Sequence, residues 1–437
     1  MYTCKEIAAY LGICSSNVTA IRGFRQDSRL IQPSDLFFAL PGDRVDGHVF
    51  LGEVAKKGAV AAIISKQYRG PSYGLSLLAV EDVMDALHLL AQVLFSKRNT
   101  PVIAVTGSVG KTTIKEFIAT LLSAQFRVAK TPGNANSRIG LPLSLLNADR
   151  EADIFVVEMG MSQKGQIAKL VSIAPPEIAV ITNIGLAHSA YFPEGLESIA
   201  RAKAEILSSS KTRLAILGPN VESFFAIKTS LVPKKNYGLS EGLDLYLQAH
   251  GKKFCLMEKT GCSSFFSLPF QAEHLWENFC GAALVAREFG VCWEKIIDQT
   301  KLLKTISHRF TIVEKKGIIF VDDSYNASLS SMKAAFKSLP KPKGKTIAVL
   351  GDMKELGEFT EECHLEVAKY ALEVTDILLC LGEECALMVE LFIKNKRKAY
   401  LCHDFQDLYK AVHALAEQGD VVLIKGANSH QLWRILD

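Results

Sequence analysis

The segment Ile103-Ala-Val-Thr-Gly-Ser-Val-Gly-Lys-Thr-Thr113 constrains this chain more than any other. An apolar run enters a turn with two glycines, and Gly-Lys-Thr leads into a helix expected to begin near Thr112. Glycine at 107 and 110 lets backbone N–H groups close on phosphate oxygens, and the helix N-terminus adds partial positive charge. Lys111 supplies a cation for terminal phosphates, and the Thr112 hydroxyl can ligate Mg²⁺. Gly107, Ser108, Val109, Gly110, Lys111, Thr112 and Thr113 are therefore assigned to a nucleoside triphosphate. The full phosphate-loop pattern wants glycine at position 105, where this chain has valine. The strand–turn–helix context carries the assignment instead.

A chain of 437 residues exceeds what one core usually organises, so two or three domains are expected. Residues 1–80 hold short apolar runs, Leu36–Leu40 and Val60–Ile64, split by turn-formers such as Pro41-Gly42-Asp43, and read as a small α/β domain. After an amphipathic helix near Val83–Phe95, residues 81–309 carry apolar runs of the doubly covered, parallel-sheet kind: Val102–Val105, Ile154–Val157, Ile178–Ile181 and Leu214–Leu217. From Tyr237 to Phe270 the pattern turns irregular, as in an antiparallel flank, before a helix over Leu275–Ala286. Residues 310–437 alternate again, with strands expected at Ile318–Val321, Thr346–Leu350, Ile377–Leu381 and Val421–Ile424, a second Rossmann-like unit. The expected fold is thus α/β with three domains. Neither larger block shows G-x-G-x-x-G after its first strand, which disfavours a dinucleotide.

Composition narrows the function. A net charge of +4 is nearly balanced over this length and gives no support for a nucleic-acid partner. Glu6 stands where a secretory apolar region would begin, and the apolar stretch Leu75–Phe95 carries Glu81, Asp82, Asp85 and His88, too polar for a membrane span. Ten scattered cysteines without a C-x-x-C pair fit reduced thiols, so a cytoplasmic location is expected.

Two further strands end in chemistry. Asp153-Ile-Phe-Val-Val-Glu158-Met-Gly160 places a carboxylate at a strand end, where ligand sites of open α/β sheets gather. Glu158 could hold a metal on the γ-phosphate, or serve the fold alone. Ile178–Ile181 runs out into Thr182-Asn-Ile-Gly-Leu-Ala-His188. Histidine is an unusual ligand for Mg²⁺, which prefers oxygen, so His188 by itself reads as a loop residue.

Taken in order, the phosphate loop, Glu158-Met-Gly160, His188, Ala202-Lys203-Ala-Glu205, Asn278, His308-Arg309 and Asp322-Asp-Ser-Tyr-Asn326 resemble the Mur ligase superfamily, along the whole chain. Asp27-Ser-Arg29, Asp35-Leu-Phe-Phe-Ala-Leu-Pro-Gly42 and Asp46-Gly-His48 are similar to its UDP-sugar-binding domain. Asp323-Ser-Tyr-Asn-Ala-Ser328, Ser331-Met332 and Gly351-Asp-Met-Lys-Glu-Leu-Gly357 resemble the member that adds a dipeptide. A member adding the third peptide residue would carry an Asn-Pro-Arg-like triplet, which this chain lacks.

The resemblance implies that ATP activates a carboxylate as an acyl phosphate, which an amine then attacks. The implied substrates are UDP-N-acetylmuramoyl-tripeptide and D-alanyl-D-alanine, handled by a monomer. Thr112 and Glu158 would hold one Mg²⁺, and His188 and Lys203 a second. Because a protonated lysine cannot ligate a cation, Lys203, expected in a helix over Ser198–Leu207, would act as its CO₂ adduct, a carbamate. Lys111, Glu158, His188 and Lys203 would be the catalytic set. Asn278 would meet adenine, Arg309 the phosphates and Asp323 the ribose. Ser28, Arg29, Asn134 and Asn136 would meet the UDP-sugar, and Tyr325 and Asn326 the dipeptide. Two departures from the family pattern are Leu275, where asparagine commonly stands, and Ala427, where serine is more frequent.

Overall fold

The computed structural model describes residues 1–42 and 45–437, so Asp43 of the expected Pro41-Gly42-Asp43 turn lies outside the described residues. Three α/β units follow one another. In the first, four parallel strands, Gly23–Arg25, Asp35–Phe38, Ala61–Ser65 and Ser76–Val80, pair in sequence order. Phe37, Ala62 and Ile64 on one face pack with Leu51 and Val54 of the helix Leu51–Lys56. Leu36, Phe38 and Ile63 on the other face join a larger core beneath the second unit. This alternation follows the pleat, which sends successive side chains to opposite faces.

The second unit is a nine-stranded sheet. Its order from one edge is Val128–Lys130, Ile154–Glu158, Val102–Thr106, Ile178–Ile181, Leu214–Leu217, Lys234–Gly238, Leu245–His250, Lys253–Glu258 and Gly261–Cys262. The strands from Val128–Lys130 through Leu245–His250 are parallel, and an antiparallel hairpin finishes the far edge. The antiparallel flank expected from Tyr237 therefore starts later, because Leu245–His250 still runs parallel to Lys234–Gly238. The central runs are buried on both faces, by the helix Lys111–Leu122 and the helix Glu273–Glu288 on one side. The strand Val102–Thr106 lies between Ile154–Glu158 and Ile178–Ile181, so the chain winds first to one side of it and then to the other. At such a switch point the strands' carboxyl ends open a crevice, here bordered by Thr106, Glu158 and Ile181.

The third unit is a six-stranded sheet in the order Thr311–Lys315, Ile318–Asp322, Val421–Lys425, Thr346–Gly351, Ile377–Leu381 and Lys398–Cys402. Only Thr311–Lys315 is antiparallel to its neighbour.

Two features lock the first unit to the second. The helix Val83–Ser96 contacts the helix Gly140–Leu146, the strand Ala61–Ser65 and the helix Cys4–Tyr10, so one apolar stripe serves both units. The Asn147 amide then bonds the edge strand like another backbone: Phe24 N–H donates to its Oδ1 at 3.0 Å, and its Nδ2 donates to Phe24 O at 2.9 Å.

Helix Glu273–Glu288 reaches the sheet closely only because position 281 has no side chain. A Cβ there would lie 2.5 Å from Tyr237 Cζ and 2.8 Å from Ile114 Cδ1. Alanine would gain about 1 kcal/mol of helix propensity, but overpacking a dense core costs about 1–3 kcal/mol, and the Tyr237 ring is fully enclosed. Gly281→Ala is therefore expected to lower the denaturation midpoint; a raised midpoint in a urea titration would contradict this packing.

Candidate active site

Each strand end contributes a different group to one cleft of about 770 Å³ between the second and third units. The phosphate loop itself is fastened from beneath. Gly107 (φ 145°) and Gly110 (φ 83°) both occupy backbone conformations that favour glycine. A Cβ on Gly107 would meet Thr182 Oγ1 at 1.9 Å, and one on Gly110 would meet Asn278 Oδ1 at 2.7 Å. Asn183 Oδ1 accepts from the N–H of Ser108 at 3.1 Å and of Val109 at 2.9 Å, while Thr182 Oγ1 donates to Val109 O at 2.5 Å. With these ties from the next strand, Val105 can remain a buried strand residue where a longer phosphate loop would need glycine. The helix starts at Lys111, one residue earlier than expected.

Lys111 Nζ donates to the carbonyls of Gly107 at 2.9 Å and Ser108 at 3.2 Å. Burial pushes its ammonium below the ordinary lysine range, Glu158 opposes that shift, and Arg309 adds to it. Glu158, 1% exposed, receives the Thr112 hydroxyl at 2.8 Å and the Asn136 amide at 2.7 Å, while its own N–H donates to Thr131 Oγ1 at 3.1 Å. Arg309 Nη2 donates to Thr112 Oγ1 at 3.1 Å, and its guanidinium carbon lies 4.0 Å from the Tyr325 ring centre. The Thr112 hydroxyl and the Glu158 carboxylate are hard oxygen donors side by side, as a magnesium site requires.

His188 borders the same cleft, its Nδ1 paired with the Glu355 carboxylate. Lys203 is 3% exposed and lines the cleft from the helix Leu196–Ala204, which continues as a 3₁₀ turn through Leu207. Burial, followed by repulsion from Lys111, drives its amine well below the ordinary lysine range. Among the described residues it has no hydrogen-bonding or ionic partner.

The similarities to known proteins match this arrangement unit by unit. The family model described as Mur ligase family, catalytic domain, matches residues 20–93, the Mur ligase middle domain matches 105–286, and the Mur ligase, glutamate ligase domain, matches 308–428. A Bacillus subtilis UDP-N-acetylmuramoyl-tripeptide–D-alanyl-D-alanine ligase is 34% identical over 433 residues, covering 96% of this chain and 93% of the relative. The chain belongs to the Mur ligase family. An Escherichia coli protein of the same name is 32% identical, covering 82% of this chain and 80% of its own. Among solved structures, MurF from Acinetobacter baumannii superposes with a TM-score of 0.86 at 27% identity, covering 100% of this chain and 98% of that one. MurF from Thermotoga maritima in complex with ADP gives 0.82 at 31% identity, covering 95% and 96%.

Within this Mur ligase, the residues expected at the site mostly converge. Gly107 to Thr113, Asn134, Asn136, Glu158, His188, Lys203, Asn278, Arg309, Asp323, Tyr325 and Asn326 all line the cleft. Asp323 accepts Lys425 Nζ at 2.5 Å and the Phe310 N–H at 3.0 Å. Ser28 and Arg29 lie elsewhere, on the first unit. Ser28 Oγ is 3.4 Å from Glu53 Oε2, and the exposed Arg29 pairs with Asp27 at 2.6 Å.

Sequence reasoning missed several residues that shape the cleft. Asn183 lies within the expected strand exit Thr182–His188, and an amide at a strand end beside a glycine turn is a natural loop fastener. Glu355 lies inside Gly351–Gly357 and Lys425 one residue beyond the expected strand Val421–Ile424, and neither carries a local signal of its own. Lys115 gave no signal, because a lysine four residues into a helix ordinarily faces water. Here it is fully buried, and its Nζ donates to Thr131 O and Gly133 O, both at 2.7 Å. It thereby fixes the base of the loop that carries Asn134 and Asn136. Lys115→Met would leave the buried Thr131 carbonyl without its donor, at about 1–3 kcal/mol, and free the partly buried Gly133 carbonyl at a smaller cost, offset by relief from burying a charge. We expect a net loss of about 2 kcal/mol in denaturant unfolding; unchanged stability would contradict the role.

Proposed function

We propose that this chain is an ATP-dependent amide ligase that adds D-alanyl-D-alanine to UDP-N-acetylmuramoyl-tripeptide through an acyl phosphate, in cytoplasmic synthesis of peptidoglycan precursor. The observation that carries this is the meeting, in one cleft, of a phosphate loop with Glu158 and the loop of Asn134 and Asn136 on one side, and Arg309, Tyr325 and Asn326 on the other. Nearly full-length similarity to a ligase bearing that name supports the choice of substrates. Residues 1–80 would bind the UDP-sugar through Ser28 and Arg29, residues 81–309 ATP, and residues 310–437 the dipeptide. The enzyme would act as a monomer.

A carboxylate attacking an anionic phosphate first needs the charge between them neutralised. Lys111 and the loop N–H groups would take the transferring phosphoryl group, with Arg309 beside them. Asn278 would sit at adenine and Asp323 at the ribose. Thr112 and Glu158 fit one Mg²⁺, and His188 with a carbamylated Lys203 a second. When bound, these ions would supply further charge neutralisation and template the reactants. The Lys203 amine supports carbamylation: only an uncharged amine adds CO₂, and burial favours that form. Asn136, bonded to Glu158, joins the nucleotide side of the cleft to the acceptor side.

The substrate carboxylate oxygen bonds to the γ-phosphorus and ADP leaves. The dipeptide amine, its ammonium proton released to solvent, then attacks the acyl carbon, and the tetrahedral intermediate expels phosphate, which carries off the second N–H proton as the amide forms. Closure of the third unit over the cleft would protect the acyl phosphate from water.

Phosphate release should require ATP, Mg²⁺, the UDP-tripeptide and D-alanyl-D-alanine together. Equal turnover with a single amino acid would favour a sibling activity instead. Lys111→Ala should reduce release by at least about 100-fold, in line with the loss of a charge-stabilising group, while circular dichroism stays native. Appreciable turnover in that variant would remove the phosphate-loop role. Lys203→Ala should lose most activity and regain part of it with formate, a small carboxylate able to replace the carbamate. Full activity without formate would refute the carbamate.

A further inference from the structure

Two non-glycine residues in the left-handed backbone region face each other across the cleft, His188 (φ 59°) and Glu355 (φ 62°). Such a conformation costs about 1–3 kcal/mol per residue and persists where the surroundings over-determine it, often at functional sites. His188 leaves the strand Ile178–Ile181 of the second unit, and Glu355 follows the strand Thr346–Gly351 of the third. Their side chains pair through His188 Nδ1 and the Glu355 carboxylate. Two further hydrogen bonds fasten the same spot: the Ala190 backbone N–H donates to Glu355 O at 2.9 Å, and the Ser189 side-chain Oγ donates to Leu356 O at 3.1 Å. Gly357 lies so near that a Cβ on it would sit 2.9 Å from Ala190 Cα. The pairing is thus built from both sides, with little freedom to slide.

A carboxylate on Nδ1 holds the proton there and leaves Nε2 with its lone pair free. A free imidazole has no such bias toward that tautomer. We infer that Glu355 is a positioning residue through which the C-terminal domain fixes the tautomer and ring orientation of His188, so that this ligand of the central domain is prepared only when the two domains are docked. The inference rests on the role proposed for His188. It adds a residue from the opposite domain, and with it a physical link between docking and readiness of the site.

The full-length chain, labelled with ¹⁵N-histidine and measured at pH about 8, above the ordinary histidine range, tests this by long-range ¹H–¹⁵N correlation. His188→Gln identifies the signal. The wild type should show the Nδ1–H tautomer. Glu355→Ala should shift His188 toward Nε2–H, and Glu355→Gln, whose amide oxygen still accepts, should keep Nδ1–H. In phosphate release, Glu355→Ala should lower kcat and raise the Mg²⁺ requirement, each by about 10- to 100-fold, as for other partners of metal-bound histidine, with the KM for ATP unchanged; Glu355→Gln should lose far less. An Nε2–H tautomer in the wild type, or one unmoved by Glu355→Ala, overturns the inference. So does equal loss of thermal stability in both variants with normal kcat, the mark of a mere clip. A wild type that releases no phosphate with complete substrates refutes the ligase reading instead, and the tautomer still decides the pairing.

Discussion

The buried carboxylate of Glu158 is the constraint around which the centre of this molecule is arranged. An ionised acid in a sheet interior is costly unless its oxygens are bonded. Here one oxygen takes the Thr112 hydroxyl and the other the Asn136 amide, while the residue's own N–H is bonded to Thr131. Each bond ties a different segment to the strand end: the phosphate-loop helix, the Gly133–Gly140 loop and the stretch that Lys115 anchors. A network of this kind is worth more than its separate bonds when complete, and is costly when partly satisfied.

The third unit completes what the second begins. Arg309 stands at the junction, touching Thr112 on one side and lying over Tyr325 on the other. Asp323 is steadied by Lys425, whose Nζ also donates to Asn326 O at 3.0 Å. The residues expected to meet nucleotide and dipeptide therefore share one cationic brace. A site divided between domains suits a reaction with a hydrolysable intermediate, because closure can both align the reactants and remove water.

Much of this was legible in the sequence, for identifiable reasons. Runs such as Ile178–Ile181, Leu214–Leu217 and Ile377–Leu381 match the strands because burial on both faces demands unbroken apolar residues. Strands ending in acids, such as Ile154–Glu158 and Ile318–Asp322, ran one residue longer than their apolar cores, since hydropathy stops before the ladder does. The hairpin flank was placed too early because pairing direction leaves no mark on composition. Glu355 and Lys115 were illegible for a different reason. Their importance lies in partners 167 and 16 residues away, which no local spacing encodes. Ser28 and Arg29 are legible only through resemblance, because nothing in their own geometry points to a nucleotide sugar.

The central claim is that this cleft activates a carboxyl group with the terminal phosphate of ATP. Placing ¹⁸O in the terminal carboxylate of the UDP-tripeptide and measuring the mass of the phosphate released during amide formation tests it most directly. If the carboxylate attacks phosphorus, the bridging oxygen leaves with the phosphate, which will carry one ¹⁸O. Unlabelled phosphate would mean that ATP is spent elsewhere, and would contradict the account.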